Sequence, residues 1–304
     1  MPTAAAERKT ALAIFAILSV IWGYNWIVMK IGLAYAGPFA FSAIRSVVAA
    51  VFLFLVLIVT GRSLRPPVFW GTLLLGLLQT ASFTGLVQLA LVQGGAGKTA
   101  VLAYTMPFWT LLLAWLALGE RLRPLQWLAV ALAGGGLLLI LQPWDMRTSA
   151  LSKLLALAAG FCWAASVIVA KRLRARHQVD LLALTTWQLA LGMIPLLIVA
   201  WLVPERPVEW NMNFVWIVLY AGILGTAFGW MMWLYVLNRL PAGTASLNSL
   251  AIPVISVFAA WLQFGERPVA IEAVGMAIIA CGLALMSAVA LREQQRADPS
   301  MAQE

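Results

Sequence analysis

Two stretches of this chain, MPFWTLLLAWLALGER at residues 106–121 and IPVISVFAAWLQFGER at residues 252–267, share one pattern. An offset of 146 residues superimposes them without a gap, so that Pro107 aligns with Pro253. An offset of 141 residues aligns Trp22 with Trp163. Similarity at a fixed offset indicates an internal repeat, and we conclude that the two halves descend from one unit.

The composition excludes a water-soluble fold. Hydrophobic residues make up 63% of the chain and charged residues 10%, against roughly 45–50% and 25% in a soluble domain. The apolar residues form runs of about 20, each long enough to cross a bilayer as a helix. The net charge of +9 comes from loop residues, which is typical of membrane topology. We expect a lipid bilayer as the surroundings and no nucleic-acid partner.

Apolar runs and their punctuation predict an all-α integral membrane protein with about ten spans. The two repeats are predicted at residues 11–141 and 151–291, followed by a polar tail at 292–304. The predicted spans, numbered one to ten in chain order, are Ala11–Ile31, Phe39–Val59, Phe69–Leu91, Thr99–Leu118, Leu125–Leu141, Leu151–Lys171, Leu181–Val203, Phe214–Leu237, Thr244–Phe264 and Val269–Leu291.

The loop cations predict the orientation, because Lys and Arg are enriched on the cytoplasmic side of a membrane. With both termini inside, 13 of them fall on the cytoplasmic side and only 5 on the other. Each repeat holds five spans, an odd number, so the second repeat enters the membrane from the opposite side. Inverted repeats are typical of transporters in which one repeat moves against the other around a midplane site.

The paired Pro-to-Gly-Glu-Arg segments, the Trp22-Gly23-Tyr24-Asn25 stretch with Lys30, and Arg45 in span two resemble the EamA branch of the drug/metabolite transporter superfamily. The resemblance covers nearly the whole chain. It implies a ten-helix bundle with cytoplasmic termini in a bacterial inner membrane. It also implies export of small metabolites or amino acids through a central cavity, lined mainly by spans three, four, eight and nine with contributions from spans one and six.

Two prolines lie at equivalent positions inside spans four and nine. Pro107 and Pro253 each remove a backbone donor, so both helices are expected to kink. Membrane helices also tolerate proline without any functional role, because neighbouring groups satisfy the freed carbonyl. Interrupted helices at corresponding positions of two repeats favour a substrate site. Tyr104 and Asn248, each about one turn before its proline, would then face the cavity.

Other polar and aromatic side chains form stripes along three spans. Such a stripe lines a cavity or joins neighbouring helices by hydrogen bonds, and we weigh the two alternatives equally for span three. A tryptophan is also common at the membrane interface, but Trp22 and Trp163 lie nearer mid-span. The candidate substrate-binding residues from these stripes are Trp22 and Asn25 of span one, Gln79 and Phe83 of span three, Trp163 of span six, and Thr226 and Trp230 of span eight.

Arg45 is the one formal charge well inside a predicted span, and intramembrane ionisable groups are functional candidates by default. It either binds a substrate carboxylate through its forked donors, or it reaches outward to a helix end or to Glu272. Every Asp and Glu lies in a loop, a tail or at a span end. We therefore expect weak or no proton coupling through a buried carboxylate, and leave facilitated diffusion, exchange and a substrate-borne proton as alternatives.

The chain lacks the residues for an intramembrane enzyme, since its single His and its carboxylates lie outside or at the rim of the spans. No cofactor or metal is expected. The predicted function is secondary transport of a small molecule, with a non-transporting receptor or assembly subunit as the alternative. Small residues at four-residue spacing, among them Ala129 with Ala133 and Ala273 with Ala277, indicate close packing. If the faces on spans five and ten point outward, they would support a homodimer.

Overall fold

The structure is a computed structural model that describes residues 4–119, 122–142, 150–239 and 248–297. Every element in this part of the chain is a helix, and nine of the helices are long and apolar enough to span a membrane. The start predicted for span nine, Thr244, lies outside the described residues. Spans one to ten are observed at Ala4–Gly32, Pro38–Val59, Phe69–Gln93, Ala96–Leu118, Pro124–Leu141, Ala150–Arg176, Leu181–Leu202, 212–239, Asn248–Phe264 and Ala270–Ala297.

The ten helices form two inverted five-helix repeats that pack mainly on each other. Span one packs on spans eight and nine, and its equivalent, span six, packs on spans three and four. Span two packs on span seven, and span five on span ten. Each of these contacts joins one repeat to the other and is reproduced when the repeats are exchanged. This is the arrangement that a pseudo-two-fold axis requires.

Glycines allow the third helix of each repeat to approach the second helix of the other repeat. A Cβ atom on Gly76 of span three would lie 2.9 Å from the Gly192 nitrogen of span seven. A Cβ atom on Gly222, the equivalent residue in span eight, would lie 2.9 Å from the Arg45 carbonyl oxygen of span two. Backbone contacts this close require the absence of a side chain. Both crossings therefore depend on the same glycine of the repeat.

Spans three and eight each contain a π-helical segment, at Leu77–Ser82 and Tyr220–Phe228. Both segments end at equivalent residues under the 146-residue offset. In span eight the Thr226 hydroxyl donates to the Ala221 carbonyl five residues earlier, at 2.7 Å. In span three the Thr80 hydroxyl donates instead to Gln188 Oε1 of span seven, at 2.8 Å. Single π turns inside α-helices often mark functional sites.

The two equivalent prolines have different surroundings. Span four consists of the helices Ala96–Ala103 and Met106–Leu118, with a turn at residues 104–105, and Pro107 lies in the first turn of the second helix. Its missing N–H costs little there, because the first N–H groups of a helix have no intrahelical partner. Pro253 lies inside the helix Asn248–Phe264, which continues through it.

The small-residue faces of spans five and ten point in different directions. Ala129 and Ala133 are buried, and a Cβ atom on Gly136 one turn further would lie 2.6 Å from the Gly275 carbonyl oxygen of span ten. The face of span five is therefore used inside the bundle and is not available to a second copy. On span ten, the exposed residues are those predicted as its small face: Ala273, Ala277 and Cys281.

The last helix continues beyond the predicted end of span ten. Helical structure reaches Ala297, so the first six residues of the predicted polar tail, from Arg292 onward, belong to the helix. The prediction ended the span where its hydrophobicity ends. Arg, Glu, Gln and Ala have high helix propensity, and the helix therefore extends past the apolar run.

Candidate functional site

Four of the predicted site residues meet in one chain of ring contacts across the bundle. The Phe83 ring of span three lies 4.7 Å from that of Trp163 in span six, centroid to centroid. Trp163 stacks on Trp230 of span eight at 5.5 Å, and Trp230 meets Trp22 of span one at 6.2 Å. We call Phe83, Trp163, Trp230 and Trp22 the aromatic path. Spans three and one belong to the first repeat and spans six and eight to the second, so the path crosses the repeat interface twice.

A hydrogen bond and two glycines hold Trp22 in place. Its indole Nε1 donates to the Gly225 carbonyl oxygen at 2.9 Å, which satisfies the one polar group of the side chain. A Cβ atom on Gly229 would clash with this indole, and one on Gly225 would lie 2.6 Å from Asn25 Oδ1. The small face of span eight is therefore the surface on which Trp22 and Asn25 of span one rest.

Tyr104 lies at the break in span four, where the two helices of that span meet. It is buried, and its ring meets Trp26 of span one edge to face, with centroids 6.3 Å apart. The break therefore places an aromatic side chain of the first repeat against span one. Gln79, another predicted site residue, lies in the π segment of span three and is half-buried.

Three buried polar side chains carry atoms that have no hydrogen-bond partner among the described residues. They are Arg45 at Nε and Nη1, Gln88 at both amide atoms, and Asn25 at Oδ1. Their exposed fractions are 8%, 0% and 8%. The predicted alternative in which Arg45 pairs with Glu272 is wrong, because Glu272 is bound by Lys98 and by the Val269 N–H.

The two remaining predicted residues on spans eight and nine differ in what the structure describes. Thr226 is buried and its hydroxyl is used inside its own π segment. The side chain of Asn248 lies outside the described part of the chain. Ser256, two turns further along span nine, donates to the Gly23 carbonyl oxygen at 2.9 Å and thereby ties span nine to span one.

Several residues around the site carried too weak a signal to be found from the sequence. Trp233 of span eight contacts Trp22 at 6.0 Å, and Gln188 accepts the Thr80 hydroxyl. Trp233 shares a helical face with Trp230, and this spacing is the signal that could have identified it. Gln188 follows no comparable pattern, since a single Gln in an apolar run is ordinary for helix packing.

Two carboxylates close one end of the bundle. We call this end, with the connections 33–37, 94–95, 203–211 and 265–269, the outer end, following the orientation predicted from the loop charges. Glu205 accepts from the Phe39 and Ala40 N–H groups at 2.9 and 2.8 Å. Glu266 accepts from the Ala96 N–H at 3.0 Å. Each carboxylate comes from the second repeat and binds a helix N-terminus of the first repeat, which is the favourable end for an anion.

A basic side chain adds to the closure at the same end. Lys30, at the end of span one, donates to the Gly94 carbonyl oxygen at 2.9 Å and also to that of Leu91. These carbonyls belong to the C-terminal end of span three, where a cation is favoured. Spans one and three are therefore joined at the outer end as well.

The sequence and the fold were compared with known proteins. A model of the EamA-like transporter family matches residues 9–142 and again residues 151–288. The uncharacterised transporter YoaV of Bacillus subtilis is 30% identical over 281 residues, covering 90% of this chain and 95% of that protein. A probable amino-acid metabolite efflux pump of Escherichia coli is 26% identical, covering 91% of this chain and 94% of that protein.

The fold also matches a solved structure. A protein of known crystal structure superimposes with a TM-score of 0.64, covering 93% of this chain and 99% of that chain at 18% identity. At this identity the match supports the fold and nothing about the substrate. The ten-span architecture therefore also occurs in an experimentally solved protein.

Proposed function

Because this chain belongs to the EamA-like transporter family, we propose that it is a secondary transporter that exports small metabolites, amino acids or drug-like compounds by alternating access. Its setting is a bacterial inner membrane with both termini in the cytoplasm. The relatives named as transporters and as an amino-acid metabolite efflux pump support the direction and the substrate range. The loop charges support the orientation.

The aromatic path is the observation that carries this proposal. It joins spans one and three of the first repeat to spans six and eight of the second by ring contacts of 4.7–6.2 Å. A solute between two moving repeats touches both, and a surface shared by both repeats is where the affinity differs between the two states. Flat aromatic surfaces in the membrane interior fit a solute with an apolar or aromatic portion.

The closed outer end supports the alternating-access mechanism. Glu205 and Glu266 fasten helices of one repeat to loops of the other at this end. Opening toward the outside therefore requires these hydrogen bonds to break, while the interior of each repeat can stay intact. The proposed movement is a rocking of one repeat against the other. Pro107 and Pro253 are proposed as the positions at which spans four and nine bend during this movement.

The experiment is ligand-dependent thermal stabilisation of the purified full chain. A solute that binds only the folded protein raises its apparent stability. The panel consists of amino acids, nucleosides, sugars and hydrophobic amines. A solute that stabilises the protein is then loaded into liposomes containing it, and its transmembrane movement is measured. Binding followed by movement supports the proposal.

Two outcomes favour the alternative functions. Binding without transmembrane movement in liposomes supports a non-transporting receptor or assembly subunit. Chemical conversion of a bound solute supports an intramembrane enzyme. Both outcomes would contradict the transporter proposal and leave the membership of the family unaffected.

A further inference from the structure

Arg45 is a cation in the interior of the bundle without a compensating anion. It lies inside span two, is 8% exposed, and has no hydrogen-bond partner at Nε or Nη1 among the described residues. An isolated charge in such a position is costly, and arginine in membrane spans normally pairs with another group. Its counterion must therefore come from elsewhere in the protein or from a bound molecule.

The described carboxylates are already engaged. Five acidic side chains are described: Asp180, Glu205, Glu209, Glu266 and Glu272. Glu205 and Glu266 cap helices at the outer end, and the others pair with Arg62, Arg206 and Lys98. Within the described part of the chain, no carboxylate is left for Arg45. This observation favours an anion supplied by a ligand.

The other two groups with unpaired atoms lie at a similar depth on neighbouring helices. Asn25 is 7 residues before the end of span one at Gly32, Arg45 is 7 residues after the start of span two at Pro38, and Gln88 is 5 residues before the end of span three at Gln93. At 1.5 Å per residue, each lies about 8–11 Å below the outer end of its helix.

The directions of the helices bring these side chains toward one another. Spans one and two both pack on the π segment of span eight, and span three contacts both. Side chains lean toward the N-terminus of their own helix. Span two runs inward from the outer end and span three runs outward, so Arg45 leans outward and Gln88 leans inward. The two side chains are therefore directed toward a common level.

We propose that Arg45, Gln88 and Asn25 form the subsite that binds the carboxylate group of the transported solute. The inference rests on the proposed transport function and narrows its substrate to organic carboxylates. The forked guanidinium matches a carboxylate geometrically, and the Gln88 amide nitrogen adds a further donor. Asn25 Oδ1 and Gln88 Oε1 accept from a hydroxyl or ammonium group on the same molecule.

The subsite also defines where the rest of the solute lies. Trp22 precedes Asn25 by three residues, so both occupy one face of span one, and Trp22 belongs to the aromatic path. A carboxylate held by Arg45 therefore leaves the apolar portion of the solute to contact the path. Recognition is divided between a charged group on the outer side and aromatic surface toward the middle of the membrane.

The test uses ligands in matched pairs. Aromatic and aliphatic amino acids, 2-hydroxy acids and simple carboxylic acids are each compared with their own primary amides, which have nearly the same shape without the charge. The readout is the thermal shift of the full-length protein, as wild type, Arg45→Gln, Arg45→Lys and Arg45→Leu. Arg65→Gln is the control, because Arg65 is an exposed arginine of the connection between spans two and three.

We expect at least one carboxylate to stabilise the wild type while its amide does not. The shift is lost in Arg45→Gln and Arg45→Leu, reduced in Arg45→Lys, and unchanged in Arg65→Gln. Without ligand, Arg45→Leu has a higher melting temperature than the wild type, because an uncompensated buried cation has been removed. This ligand-free measurement also reports on Arg45 directly, independently of any solute.

Three results would overturn the inference. Stabilisation by amides or amines with no effect of Arg45→Gln would leave the transporter proposal standing without a carboxylate subsite. A ligand-free Arg45→Leu variant that melts well below the wild type would show that Arg45 has a structural partner. Failure of every carboxylate, while neutral solutes bind in an Arg45-independent manner, would exclude the substrate class and keep the transport function.

Discussion

The indole rings of Trp163 and Trp230 lie with their centroids 5.5 Å apart and their planes 16° apart. This stack joins spans six and eight, which are not consecutive in the chain. Phe83 and Trp22 of the first repeat contact its two ends. A movement of the first repeat against the second therefore changes the contacts at the ends of the stack, whereas the stack itself lies within the second repeat.

Replacement of Trp163 by Ala is expected to weaken solute binding at least about tenfold. The change removes the contacts of Trp163 with Phe83 and Trp230, and an aromatic contact is worth about 0.5–1.5 kcal/mol beyond its buried area. The measurement is the ligand concentration that gives half of the maximal thermal shift. Trp201→Ala is the matched control, since Trp201 is 84% exposed at the end of span seven. Equal effects of both replacements would contradict a role of the aromatic path in binding.

Replacement of Glu266 by Ala is expected to loosen the outer end at span four. The variant loses the acceptor of the Ala96 and Gly97 N–H groups. Loss of an N-terminal cap costs about 0.5–2 kcal/mol. Hydrogen exchange of a peptide covering residues 94–103 should therefore be faster by about 2- to 30-fold.

Glu209→Ala serves as the control for this loosening. Glu209 is exposed and pairs with Arg206 of the same connection, so exchange at residues 94–103 should not change. Unaltered exchange in Glu266→Ala would mean that the cap does not hold the outer end closed.

The pair of Lys98 and Glu272 should show strong coupling between its two members. Glu272 is 6% exposed, so Lys98→Met leaves a buried carboxylate without its cation, at a cost of about 3 kcal/mol. In the double variant Lys98→Met with Glu272→Met, most of this stability returns. Thermal denaturation of the single and double variants measures the coupling. Additive effects would exclude it.

Glu272→Gln should leave transport largely intact. The amide can still accept a hydrogen bond from Lys98, and the position is at the rim of span ten rather than on a path through the membrane. Uptake or efflux in liposomes, compared at equal amounts of folded protein, checks this. A complete loss of transport would indicate that Glu272 carries protons.

Spans five and ten should separate when Gly136 is replaced by Val. The added side chain would meet the Gly275 carbonyl and Ile279 of span ten. Overpacking of this kind costs about 1–3 kcal/mol, and the melting temperature should fall accordingly. Gly135→Val is a matched control on the same helix, because a Cβ atom there meets nothing within 4 Å. Equal losses in both variants would trace the effect to helix propensity rather than to packing.

The architecture was predictable because each span is a long apolar run and the repeat is visible at fixed offsets. The same offset identified Trp22 and Trp163 as equivalent, and both belong to the aromatic path. The partners across the interface could not be predicted in this way. Glu205 and Phe39 are more than 160 residues apart in the chain, and no local pattern records that the carboxylate of a loop caps a distant helix.

The π segments were hidden for a different reason. Residues 77–82 read LLQTAS, a stretch whose hydrophobicity is ordinary for a membrane helix. A π turn adds one residue without changing the composition, so a periodicity analysis continues through it and misjudges the faces beyond. The surroundings of Arg45 were undecided for a related reason, because the sequence does not reveal which loop carboxylates are already paired.

The π segments of spans three and eight also bear on the history of the chain. They end at Ser82 and Phe228, which are equivalent residues of the two repeats. Two independent insertions at the same position of the same helix would be a coincidence, whereas one insertion copied by duplication needs no coincidence. The extra residue is therefore older than the duplication itself. The ancestral five-helix protein already carried it, presumably-free of any second copy on the same chain, and two such proteins inserted in opposite directions would have faced each other with the same widened turn.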